Sequence, residues 1–171
     1  MSFPSPAPAL PDGALLQKYR LAGAYTDCFV TDITTRATQA EYVEAFYTSP
    51  VFRIERWLLA RFVARPSTDL EARELALGTR NSFAAWTVEA RDANQLLLAD
   101  FQGRTRSWLM STHIPGEPGT RLYFGSAVVP AADRRTGEAR MGLVFRLLLG
   151  FHKLYSRVLL SGAARRLTAS H

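Results

Sequence analysis

Four runs of strand-forming residues follow one another between positions 83 and 129, and the breaks between them are too short for a crossover helix. Residues 83–91, 95–101, 104–114 and 120–129 are rich in β-branched, aromatic and aliphatic side chains. The breaks are Asp92-Ala93-Asn94, the tight Gln102-Gly103 turn and the loop Pro115-Gly116-Glu117-Pro118-Gly119, and Pro130 ends the last run. Parallel neighbours need a connection of a dozen residues or more, so these short links favour an antiparallel meander.

The flanking segments supply what such a sheet packs against. Residues 25–33 (YTDCFVTDI) read as a first strand, with Tyr25, Asp27, Phe29, Thr31 and Ile33 on one face and Thr26, Cys28, Val30 and Asp32 on the other. Helices follow. Thr38 and Glu41 have the spacing of a capping box, and Ala40, Val43, Phe46 and Tyr47 recur at helical intervals. Ser49-Pro50 is a second helix start, and Val51, Ile54, Leu58 and Phe62 continue it as an apolar stripe until Pro66. Thr68 and Glu71 mark a third start, closed at Gly78. Residues 131–140 form a polar loop, and residues 141–167 a long helix whose apolar face carries Val144, Leu147, Leu148, Phe151, Tyr155, Val158 and Leu159. Near the start, residues 13–22 form a short helix stopped by Gly23.

The expected fold is therefore α+β: a curved antiparallel sheet gripping a long C-terminal helix, with two to three short helices after the first strand. With 171 residues and 47% hydrophobic content the chain can bury a core without disulfides, which suits one domain over residues 13–171 behind a flexible Pro-rich leader at 1–12. A bent sheet and a straight helix separate along part of their length, so a cavity is expected between them, apolar with a few polar groups.

Matching stretches at residues 25–29 (YTDCF), 46–62 (FYTSPVFRIERWLLARF) and above all 142–160 (GLVFRLLLGFHKLYSRVLL) resemble an uncharacterised bacterial domain family of helix-grip type, related to the START-like and polyketide-cyclase-like superfamily. Phe151-His152-Lys153 is similar to a Phe-His-Arg/Lys segment of that family's last helix. Gly150 stands where the pattern has proline, and residues 104–110 lack its acidic-aromatic motif. The resemblance implies a fold and a pocket, and no reaction.

Composition narrows the chemistry. The charge of +6 comes from 19 Arg and 2 Lys against 15 acidic residues, but the arginines are scattered and the longest basic clusters are the pairs Arg134-Arg135 and Arg165-Arg166. Nucleic acid is not an expected partner; a weak contact with an anionic surface through the basic C-terminal end stays open, as does a homodimer. Cys28 is alone, which excludes an intrachain disulfide and suits a reducing cytoplasm. No signal peptide stands at residues 1–12, and the apolar stretch 141–160 is interrupted by Arg146, His152, Lys153 and Arg157, so no transmembrane segment is expected. His113, His152 and His171 show no metal-ligand spacing, and there is no Gly-x-Gly-x-x-Gly, phosphate loop or Gly-x-Ser-x-Gly elbow; no metal or cofactor is expected. Asp100 and Arg104 face each other across a tight turn as an ion pair.

The ligand-contacting set expected between meander and helix is Trp86, Arg106, Trp108, Met110, Tyr123, Phe124, Phe151, His152 and Tyr155. Trp108 shares a strand face with Arg106 and Met110, a pairing that could hold an acid group beside an apolar tail; the plainer alternative leaves Trp108 and Met110 in the core and lets the Arg stems reach solvent. His152 is the acid–base candidate. Three functions follow. The first is a domain binding a lipid-like, polyketide-like or fatty-acid-like molecule. The second is an enzyme of cyclase or hydrolase type using the same pocket, and the third a module that docks a protein or an anionic membrane.

Overall fold

The computed structural model describes residues 4–7, 9–62, 66–129 and 143–169. Its elements are β1 (Ser5–Pro6), α1 (Gln17–Leu21), β2 (Tyr25–Ile33), α2 (Gln39–Tyr47), α3 (Pro50–Phe62), α4 (Asp69–Leu77), β3 (Ser82–Phe83), β4 (Trp86–Asp92), β5 (Gln95–Asp100), β6 (Thr105–His113), β7 (Thr120–Val128) and α5 (Leu143–Ala169). The fold is α+β. One open seven-stranded antiparallel sheet has the order β1-β2-β7-β6-β5-β4-β3, and the C-terminal helix packs on it, an arrangement compatible with a helix grip. The polar loop expected over 131–140 and the first residues of the expected last helix lie outside the described residues.

Local chemistry sets the helix boundaries. Thr38 with Glu41, and Thr68 with Glu71, form complete capping boxes, each threonine accepting from the glutamate N–H while the carboxylate accepts from the threonine N–H. A cap of this kind is worth about 1 kcal/mol. Gly78 closes α4 in the left-handed region at φ +82°, which a side chain would strain.

The sheet is covered on both faces. On the inner face Phe29, Ile33, Leu96, Leu98, Leu109, Leu122 and Phe124 meet Phe46, Tyr47, Leu75, Leu160 and Ala163 of the helices. On the outer face Cys28, Leu97, Trp108, Met110 and Ala127 meet Ala14 and Leu16 of the N-terminal segment. That segment differs from a flexible leader: Pro4 is buried, Ser5 and Pro6 pair with Val30 and Phe29, and the Ala7 N–H donates to the Cys28 carbonyl at 2.9 Å. Proline is tolerated there because β1 is an edge strand.

Two further details differ from the sequence reading. The strand expected over 83–91 is two strands, because the chain reverses at Ala84-Ala85 so that Phe83 pairs with Trp86; Ala84 takes a positive φ of 51° in this turn. Within β4 the register slips between Val88 and Ala90, a bulge at Glu89, whose carboxylate meets Arg106 on the outer face.

Candidate functional site

On the inner face, three adjacent strands carry a polar row where a core would be apolar. Asp27 pairs with Ser126, and Ser126 with Ser107. All three share the face of Phe29, Leu109 and Phe124, since side chains alternate along each strand. The Ser126 hydroxyl and N–H donate to Asp27 Oδ1 at 2.6 and 3.1 Å. Tyr25 is hydrogen-bonded to the same carboxylate. Burial first, then the charge of Asp27 and this bond, push the phenol up to about 12, so Tyr25 stays protonated as the donor at neutral pH. The hydroxyls of Tyr47 and Ser107 lie 3.4 Å apart. Buried polar groups are costly unless bonded, and the serine and tyrosine hydroxyls of the row and Asp27 Oδ1 have partners.

Beside the row lies a cavity of about 220 Å³. Phe46, Phe52, Phe124 and Leu159 are among its apolar lining residues, and Ser107, Ser126, Trp86, Tyr155 and Ser156 among those that carry polar atoms. Two of those atoms are unlike the row: Trp86 Nε1 and Ser156 Oγ are buried and have no hydrogen-bond partner, and Ser156 is 0% exposed. Leaving such a group unpaired costs about 1–3 kcal/mol, so native interiors hold few of them. The reversal at Ala84-Ala85 is what delivers the Trp86 indole to this place.

No family model and no curated protein matches this chain. Two solved structures are similar to it over nearly their whole length. A Rhodobacter sphaeroides protein is 16% identical, with 98% of this chain and 96% of that chain covered and a TM-score of 0.42. CalU16 from Micromonospora echinospora is 12% identical, with 98% of each chain covered and a TM-score of 0.37. Likenesses this distant carry no argument about chemistry, and the site rests on its own geometry.

The sequence-expected set divides between the two sides of the sheet. Trp86, Phe124 and Tyr155 meet at the cavity. Trp108, Met110 and Tyr123 belong to the outer cluster under the N-terminal segment, and the Arg106 side chain lies on that same side. Trp108 is 0% exposed, and its indole N–H donates to Gln95 Oε1 at 2.9 Å. The Arg106 guanidinium is engaged by Glu89 and by the Tyr19 hydroxyl at 2.7 Å, so it does not stand open beside Trp108 for an acid group. Burial alone would raise the Glu89 carboxyl. The hydrogen bonds from Lys18, Tyr19 and Arg106, with the charge of Arg106, together outweigh burial and hold Glu89 below the usual carboxylate range. Phe151 and His152 lie outside the residues whose side chains the structure describes.

Sequence reasoning missed Asp27, Ser107, Ser126 and Ser156 as site residues. The available signal was period-two: Ser107 and Ser126 stand two positions from Leu109 and Phe124, on the same inward face. Elsewhere, Asp100 caps its turn, accepting the backbone N–H groups of Arg104 and Thr105 at 2.7 and 2.9 Å, in place of the expected ion pair. A larger concavity of about 520 Å³ lies by Arg36, Glu41 and His113, but those side chains face solvent. Among the described residues no group of three or more His, Cys, Asp or Glu could hold a metal ion, and no helix is long and apolar enough to cross a membrane.

Proposed function

We propose that this chain is a helix-grip domain that binds a small, mostly apolar molecule in the cavity between the sheet and α5. The carrying observation is the pair of buried, partnerless polar atoms, Trp86 Nε1 and Ser156 Oγ, beside an aromatic cavity. A stable core would fill such a space or pair such atoms; a binding site leaves both for a ligand. The strand order from β2 through β3 and the helix laid on the inner face support the helix-grip, START-like reading. A lone buried Cys28 fits a reducing compartment such as the cytoplasm. An enzyme of cyclase or hydrolase type would use the same cavity.

The volume bounds the ligand. Drug-sized ligands occupy roughly 300–1,000 Å³, and an engineered cavity of about 150 Å³ takes up benzene. A space of 220 Å³ suits one ring with a short substituent, or a short chain. The test is a benzene titration followed by the indole N–H signals of the three tryptophans. Trp86 should shift saturably, while the buried Trp108 and the exposed Trp57 stay in place. Absence of any Trp86 response would refute the reading. Native mass spectrometry of protein from its own host, before and after organic extraction, would give the natural ligand's mass.

A second reading, docking to a partner or an anionic membrane, is supported by Ile54 and Trp57, each 63% exposed on α3, in a chain of charge +6. Liposome binding that falls with salt and with Trp57→Ala would favour it; binding indifferent to both would count against it.

A further inference from the structure

We infer that the ligand of this cavity is a neutral molecule that presents a carbonyl-type oxygen to Trp86 and Ser156; this rests on the binding reading above. The chemistry of the unpaired atoms decides it. An indole N–H can only donate, and a serine hydroxyl donates readily. A ligand made of hydrocarbon alone would leave both groups unsatisfied, and a ligand offering only donors would leave the indole unpaired. An acceptor oxygen satisfies the indole, and a carbonyl oxygen with two lone pairs has capacity for the hydroxyl proton as well.

Charge separates a neutral acceptor from a carboxylate. The one charged residue among the described lining residues is Arg106, and its guanidinium is held on the far side of the sheet by Glu89 and Tyr19. The Asp27 carboxylate stands behind Ser126, a lining residue that donates to it. A carboxylate ligand would enter beside a like charge, and Arg157, a described cation of this face, lies over the Phe29 ring at 5.9 Å and is not a lining residue, so the ion would carry a desolvation cost that a ketone, aldehyde or ester avoids. The volume then sets the frame: relative to the roughly 150 Å³ that houses benzene, 220 Å³ adds room for two or three more heavy atoms. An aryl or cyclic ketone of about nine heavy atoms fits that description.

Three probes of nearly one shape test this on the full-length protein: acetophenone, ethylbenzene and benzoate, each titrated while the Trp86 indole N–H is observed. Without donors in the cavity, ethylbenzene should bind best, because the ketone gives up its bond to water. With them, acetophenone should bind about 3- to 10-fold more tightly than ethylbenzene, the range that one or two net hydrogen bonds supply. Benzoate should be weakest. Ser156→Ala, which removes one hydroxyl from a buried helical position, and Trp86→Phe, which removes the indole donor, should each narrow or reverse the acetophenone preference while ethylbenzene still binds. Ethylbenzene equal to or tighter than acetophenone in the unmodified protein, or benzoate the tightest of the three, overturns the inference and leaves the binding reading standing. Failure of all three probes to bind overturns both.

Discussion

Replacing Gln95 by leucine tests how the N-terminal segment is fastened to the outer face of the sheet. Gln95 is buried and makes three bonds: its Oε1 accepts from the Leu15 N–H and from Trp108 Nε1, both at 2.9 Å, and its Nε2 donates to the Gly13 carbonyl at 3.1 Å. Leucine keeps the approximate size and removes every polar atom. The three partners then fare differently. Trp108 is fully buried, so its indole N–H loses its partner with no water to replace it, a cost of about 1–3 kcal/mol. The Leu15 N–H is half-buried and loses roughly half as much. Gly13 is exposed, so its carbonyl rehydrates at little cost. The sum is about 2–4 kcal/mol, which for a chain of this length lowers Tm by roughly 5–12 °C. Thermal unfolding measures this directly. Trp108→Phe removes the stranded donor, so the double variant should be less destabilised than the sum of the two single ones. A Tm drop under about 2 °C, or strict additivity, would refute the reasoning.

The remaining predictions concern acid, packing, the cavity hydroxyl and the thiol. Because the folded pKa of Glu89 is depressed, its stabilisation is complete above the unfolded carboxylate value of about 4.3 and is lost as pH falls through the lower, folded value. The gap in urea midpoint between the natural protein and Glu89→Gln should therefore be wide at pH 7 and close at low pH; an unchanged gap would contradict this. Gly125→Ala would place a Cβ 2.9 Å from the Asp27 carbonyl, Leu16 Cδ2 and Trp108 Cε3 together, and should cost about 1–3 kcal/mol in a denaturant titration. Ser156→Ala removes a buried hydroxyl with no partner and should raise Tm of the ligand-free protein. A lower Tm would mean that the hydroxyl is bonded after all. Burial first, and the charge of Asp27 second, push the Cys28 thiol up to about 12, so a disulfide reagent at pH 8 should label it only after unfolding.

Much of this fold was legible residue by residue. The capping boxes at Thr38 and Thr68, the stop at Gly78 and the antiparallel meander are local, set by side-chain spacing and turn chemistry that act within a few positions. The break at Ala84-Ala85 was not, because alanine carries no turn signal and its positive φ is imposed by the pairing of Phe83 with Trp86. The candidate site was half legible. The sequence marked Trp86, Phe124 and Tyr155 through their aromatic character but could not say on which side of the sheet Trp108 and Arg106 fall relative to the last helix. One clue stood in plain view: Leu96, Leu97 and Leu98 are consecutive, and an unbroken apolar run in a strand means that both faces are covered.

The kind and order of most elements follow from the chain's local pattern, since period and punctuation are properties of neighbouring residues. What lies across from what is settled by packing. The N-terminal segment comes to rest over Trp108, more than 80 positions away, because Gln95 offers it hydrogen bonds and the outer sheet face would otherwise meet water. The polar row Asp27, Ser126 and Ser107 exists only through strand register, which joins positions about 100 and 19 residues apart. A cavity is the volume left over when those distant pieces have packed, and no local pattern of residues encodes it.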